Sequence, residues 1–134
     1  MLVLDASAVI AWAYDDETGL PDSVMDRVGS DSVSVPTHWI LEVTNTLVVG
    51  ERRGRLKAGQ RQEILARIQI LPIRVDTETS FHGWKRIPEL AMRYSLTTYD
   101  AAYLELALRM DAPLATLDKD LARAARGAGV PLFK

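Results

Sequence analysis

A chain of 134 residues, 48% apolar and 25% charged, has the composition of an ordinary globular domain and the length to bury a core without disulfide or metal staples. It has no cysteine and only two histidines, His38 and His82, which excludes a disulfide framework, a zinc–thiolate centre, a thiol nucleophile and a histidine-rich metal site. Its net charge of −2 gives no general attraction to nucleic acid. The apolar start lacks a basic leader and is broken by Asp5, and no stretch approaches the ~20 apolar residues of a membrane span, so one cytoplasmic domain over residues 1–134 is expected.

The elements follow from periodicity and punctuation. LVL at residues 2–4 predicts a first strand, and ASAVIAWAY directly after Asp5 predicts a helix. PDSVMDRVG sets Val24, Met25 and Val28 on one helical face, with Gly29 as its stop. Residues 32–35 read as a second strand ended by Pro36, and residues 37–54 as a helix carrying Trp39, Ile40, Val43 and Leu47 at helical spacing. A further helix over residues 57–71 carries Ile64, Leu65 and Ile68, and residues 72–75 give a third strand. The helical stretch 79–94 holds Pro88, which either kinks it or opens its second half. Thr97 and Asp100 stand at capping-box spacing ahead of the helix YDAAYLELALRM. Residues 113–117 then predict a fourth strand, DKDLARAARG a last helix, and VPLF a short edge strand. Strands alternating with helices imply parallel pairing, right-handed crossovers and a three-layer α/β/α sandwich. In such a sheet the site lies beyond the carboxyl ends of the strands.

That rule gives the acids an address. Asp5 ends the first strand, Asp118 ends the fourth, Asp100 opens a helix, and Glu42 stands in the helix after the second strand with Asn45 one turn on. Each aspartate alone could merely cap or start a helix. Capping accounts neither for Glu42 nor for a carboxylate so close behind a buried strand, and jointly the site reading prevails. Four carboxylates brought to one rim without counter-charge repel, and a divalent cation with hard oxygen ligands resolves the repulsion. Ser7 and Thr116, two residues from Asp5 and Asp118, are candidates to orient carboxylates or bound water. The chemistry such a cluster suits is hydrolysis of a phosphodiester.

The pieces LVLDASAVIAW, PTHWILEVTNTL, LTTYDAAYLELAL and LATLDKDLARAA, in that order and spanning nearly the whole chain, resemble a PIN domain, in particular the VapC-type toxin ribonucleases. The resemblance implies that Asp5, Glu42, Asp100 and Asp118 bind one or two Mg²⁺ or Mn²⁺ ions, with Ser7, Asn45 and Thr116 in support. It implies a parallel sheet ordered 3-2-1-4-5 and cleavage of RNA to a 5′-phosphate and a 3′-hydroxyl. It also implies a homodimer and a small VapB-like antitoxin that inhibits through the active site. Asp120 matches a further acid used by some members, against the simpler reading of a helix N-terminal charge.

Arg52, Arg53, Arg55, Lys57 and Arg61 crowd one short stretch with no acid among them, and read equally as a solvated helix end and as a patch that contacts RNA phosphates. His38 is expected in a cap or surface role rather than on substrate, His82 at the surface, and Trp12, Trp39 and Trp84 in the core or a subunit interface. Among rivals, a receiver-type signalling domain would need an acidic pair after the first strand, where only Asp5 stands, although Asp76 does follow the third. A dehalogenase-type phosphatase would need an aspartate at Ser7. A related nuclease in RNA processing would share the same acids.

Overall fold

The computed structural model describes residues 1–14 and 21–133. Strand β1 (Leu2–Leu4) is wholly buried, as an apolar tripeptide must be when it lies between two neighbours in a sheet covered on both faces. It pairs in parallel with β2 (Val33–Val35) through Leu2↔Val33 and Val3↔Ser34, and with β4 (Leu114–Ala115) through Val3↔Leu114 and Leu4↔Ala115. Strand β3 (Ile73–Val75) lies outside β2, so the order is β3-β2-β1-β4. A single parallel bridge, Leu114↔Leu132, sets the VPLF segment beside β4. The expected fifth position is therefore present as one bridge, with Leu114 donating to the Pro131 carbonyl and Phe133 donating to the Leu114 carbonyl.

The helices fall into two groups. Helix α1 (Ala6–Ala13) packs against α2 (Pro21–Ser30), α3 (Trp39–Arg52) and α4 (Gln60–Gln69). After the short α5 (Thr79–His82), α6 (Arg86–Tyr94) packs on α7 (Thr98–Met110), which touches β1, β4 and α8 (Lys119–Ala128). Helix α7 is buried continuously from Ala101 to Ala107, since a helix lying along the sheet and roofed by two others hides nearly all its faces. Tyr103, Leu104 and Leu106 join Leu2, Leu4, Leu47 and Leu121 among the fully buried side chains. Removing each such leucine from water is worth about 1.5–3 kcal/mol.

Several boundaries differ from the sequence reading, each for a local reason. Helix α3 starts at Trp39 because Pro36 to Trp39 form a turn closed by a 3.1 Å bond from the Trp39 amide to the Pro36 carbonyl. Helix α4 starts at Gln60 because Gly59 takes the left-handed conformation, φ 90°, which breaks any helix running in from Lys57. The stretch 79–94 is two helices, and Pro88 sits third in α6, where a missing N–H costs no helical bond. Strand β4 spans two residues, leaving Thr116 and Leu117 to lead into α8.

Trp39 is core and Trp12 half-buried under the Arg67 guanidinium, whereas Trp84 is 93% exposed and belongs to no core. His82, expected at the surface, is half-buried with its ring edge-to-face on Phe81. No helix among the described residues is long and apolar enough to cross a membrane.

Candidate active site

Asp5 follows β1 at the first position past the sheet and stands at the N-cap of α1, yet its side chain makes no capping bond. The carboxylate is 5% exposed and turned inward instead. Its Oδ2 accepts from two hydroxyls, Thr116 Oγ1 at 2.6 Å and Ser7 Oγ at 2.7 Å. Those hydroxyls in turn accept from the backbone, Thr116 from the Asp118 N–H at 3.0 Å and Ser7 from the Leu117 N–H at 2.9 Å. Each hydroxyl thus donates to the carboxylate with a fixed proton, and the chain leading to Asp118 is stitched to Asp5. Asp5 Oδ1 receives no donor among the described residues.

Asp118 does cap its helix: it accepts from the Leu121 N–H at 2.9 Å through Oδ1, which leaves Oδ2 for other work. Asp100 lies in the first turn of α7, where its own N–H donates to Thr97 Oγ1 at 3.1 Å, as the capping spacing anticipates. Glu42 sits in the first turn of α3 and points at α7, where Tyr103 Oη donates to its Oε1 at 2.5 Å. His38 Nε2 lies 3.2 Å from the same oxygen and 2.9 Å from the Tyr99 carbonyl. Asn45, one turn beyond Glu42, is exposed and lines an open groove with His38, Leu41, Arg52 and Tyr99.

The electrostatics treat these acids as one group. Burial pushes the Asp5 carboxyl up, against its two hydroxyl donors, and the charges of Glu42 and Asp118 push it further. Burial also lifts Asp100, to about 6, helped by Asp118, Asp5 and Glu42 in that order. Glu42 would rise through burial, but its bonds from His38 and Tyr103 outweigh that and hold it below its ordinary value. Among the described residues no lysine or arginine forms an ion pair with Asp5, Asp100 or Asp118. Crowded, uncompensated carboxylates with an unbonded Asp5 oxygen are the donor chemistry that suits a hard divalent cation. The side chains as they lie do not form a ready cage: among the described residues no three acidic or histidine groups are gathered closely enough to hold an ion.

Residues 2–127 match the family model of the PIN domain. The chain belongs to the PIN domain family. Ribonuclease VapC3 of Pyrobaculum aerophilum is 30% identical to this PIN domain over 123 residues, covering 90% of this chain and 92% of that one. Two solved structures share the fold at a TM-score of 0.69. PAE2754 from Pyrobaculum aerophilum is 22% identical and is matched over 92% of this chain and 83% of its own. VapBC2 from Rickettsia felis, solved bound to a DNA fragment from its promoter, is 13% identical, with 98% and 96% covered. The resemblance to PIN-domain proteins of the VapC type is thus borne out. The receiver-type rival falls with it, since Asp76 is not a free acceptor but is closed off by Arg109.

That closure escaped the sequence reading. In this PIN domain Arg109 binds Asp76 through both terminal nitrogens, at 3.1 and 2.7 Å, and Glu105 through Nε and Nη2, at 2.9–3.1 Å. Asp76 and Glu105 are both buried, and Arg109 holds the Asp76 carboxyl below its usual range. The i,i+4 spacing of Glu105 and Arg109 is the one signal in the sequence that could have pointed to half of this triad. Tyr103 was missed because a tyrosine amid apolar helical positions reads as core. The basic stretch divides: Arg52 faces the groove beside Glu42, Arg55 lies 4.1 Å over the Tyr14 ring, and Arg61 approaches Glu51 at 3.5 Å. Arg53 and Lys57 are exposed. Asp120 is exposed and paired with Arg123 at 2.9 Å, away from the bonds that join the other acids.

Proposed function

We propose that this PIN domain is a divalent-metal-dependent endoribonuclease and the toxin half of a toxin–antitoxin pair. The observation that carries the reading is the set of Asp5, Glu42, Asp100 and Asp118, which share one electrostatic environment with no lysine or arginine among them. These residues would hold Mg²⁺ or Mn²⁺, one ion or two, and ion binding would draw the carboxylates together. A bound cation supplies acidification of the attacking water and stabilisation of charge on the phosphoryl oxygens.

The protein's share of the work is positioning. Ser7 and Thr116 fix the Asp5 carboxylate through one oxygen and leave the other open. Asp118 divides its oxygens between its helix and the site. Asp100, whose carboxyl is lifted to about 6, is partly protonated in the slightly acid range and fully available above it. No side-chain nucleophile is needed: water adds to phosphorus, the 3′-oxygen departs, and the products are a 5′-phosphate and a 3′-hydroxyl. Arg52, beside the groove, with Arg53 and Lys57 on its flank, would contact RNA phosphates. Asn45 lines the same groove and would reach substrate or a bound ion from there.

The likeness to VapBC2, a toxin with its antitoxin, supports a VapB-like protein that inhibits by occupying this acidic cleft, and the family supports a homodimer working in the cytoplasm. The test is cleavage of end-labelled structured RNAs, tRNA included, by antitoxin-free protein in Mg²⁺, in Mn²⁺ and in EDTA. Cuts that need metal and vanish in Asp100→Asn establish the activity. Cuts that persist in that variant, or in EDTA, overturn it.

A further inference from the structure

Glu42 is held by more than its own helix. Tyr103 Oη, on the neighbouring helix, donates to Oε1. His38 reaches the same Oε1 at 3.2 Å and the Tyr99 carbonyl, next to Asp100, at 2.9 Å. Both neighbours of His38 Nε2 are acceptors, so that nitrogen carries the ring proton and donates. Glu42 Oε1 therefore takes the Tyr103 hydroxyl and lies 3.2 Å from the His38 nitrogen, whose hydrogen bond goes to the Tyr99 carbonyl, while Oε2 takes no donor among the described residues. Tyr103 is fully buried and stands one turn after Asp100 on α7, while His38 stands at the N-cap of α3, one turn before Glu42. The Tyr103–Glu42 and His38–Tyr99 bonds run between α7 and the start of α3 and tie the carboxylate of Glu42 and its helix to the backbone beside Asp100.

We infer that Tyr103 and His38 are positioning residues that set the spacing of Glu42 from Asp100, so that Glu42 meets a bound divalent cation with Oε2 alone. This rests on the metal-dependent reading above. Neither residue touches the ion or the RNA in this account. Both act through Glu42, as partners of metal ligands commonly do, and removing such a partner costs about 10–100-fold in metal affinity.

The experiment titrates metal-free protein with Mn²⁺ and follows the free-ion EPR signal, beside thermal melts of the same metal-free samples. Tyr103→Phe keeps the ring and deletes the donor. His38→Ala deletes the nitrogen that bonds the Tyr99 carbonyl and lies 3.2 Å from Oε1, and His38→Gln restores an N–H near the same place. The expected result is Mn²⁺ binding weaker by about 10–100-fold in Tyr103→Phe and His38→Ala, partly recovered in His38→Gln, with kcat falling and KM for RNA held. A lower melting temperature with unchanged Mn²⁺ affinity marks a merely structural pair and overturns the inference while the nuclease stands. Wild-type protein that binds no Mn²⁺ overturns both. If Tyr103→Phe fails to fold, the two His38 variants, at a half-buried position, decide the matter alone.

Discussion

The Thr116 hydroxyl, just past β4, donates to Asp5 Oδ2 at 2.6 Å while accepting from the Asp118 N–H at 3.0 Å. One side chain thus fixes the most buried acid of the site and the backbone of its neighbour. Thr116→Val, equal in shape, strips a donor from a buried carboxylate and an acceptor from a buried amide. It should lower unfolding free energy by about 1–3 kcal/mol in urea, and cleavage should fall further than stability does. Cleavage at the wild-type rate would mean that Ser7 alone suffices to hold Asp5.

Asp100 gives a pH test with a defined sign. Its folded-state carboxyl titrates near 6 against an ordinary 3.8, so the folded protein holds a proton that the unfolded chain has lost. That contribution to stability is fully present below about 4 and is lost as pH rises through about 6. Metal-free wild type should therefore lose stability across that window, and Asp100→Asn should flatten the loss and melt higher at neutral pH. Parallel pH profiles for the two proteins would deny Asp100 its electrostatic role.

Asp118 caps its helix and, in the proposed function, would also hold the ion, and two substitutions separate the duties. Asparagine can still accept from the Leu121 N–H, so Asp118→Asn should keep stability within a few tenths of a kcal/mol while abolishing hydrolysis. Asp118→Ala should lose hydrolysis and also about 0.5–2 kcal/mol through the missing cap. Equal denaturation midpoints for the two variants would remove the cap from the account.

The basic stretch should not behave as one unit. Arg52→Ala, beside the groove, should weaken binding of uncleavable RNA and reduce the dependence of log affinity on log salt by roughly one phosphate contact. Arg61→Ala, paired with Glu51 in the wild type, should change neither. Equal effects from both would restore a diffuse patch in place of a directed one.

How far the sequence reached depends on how local each signal was. Asp5 and Asp118 were legible because a carboxylate straight after an apolar run is a conflict visible in a few residues. The Thr97 cap and the four apolar strand runs were equally local. Helix α4 was drawn too long because Gly59 can continue a pattern on paper while its left-handed φ forbids it in space. The Asp76–Arg109–Glu105 triad stayed hidden because Asp76 lies 33 residues from Arg109, and no periodicity links a strand end to a helix so far off. Tyr103 was hidden in another way: its ring obeys the core pattern, and only its oxygen departs from it.

The long reach of the Asp5–Thr116 bond, 111 residues apart in sequence, also sets an order in time. Chains emerge from the ribosome from their first residue at about 5–20 residues per second. Asp5 and Glu42 are made before Asp100, Thr116 and Asp118, and β4 must insert beside β1 before the acids can meet. A nascent chain on which Asp118 has not yet emerged therefore carries only a fragment of the cleft. By this topology the four acids cannot meet until synthesis has passed Asp118.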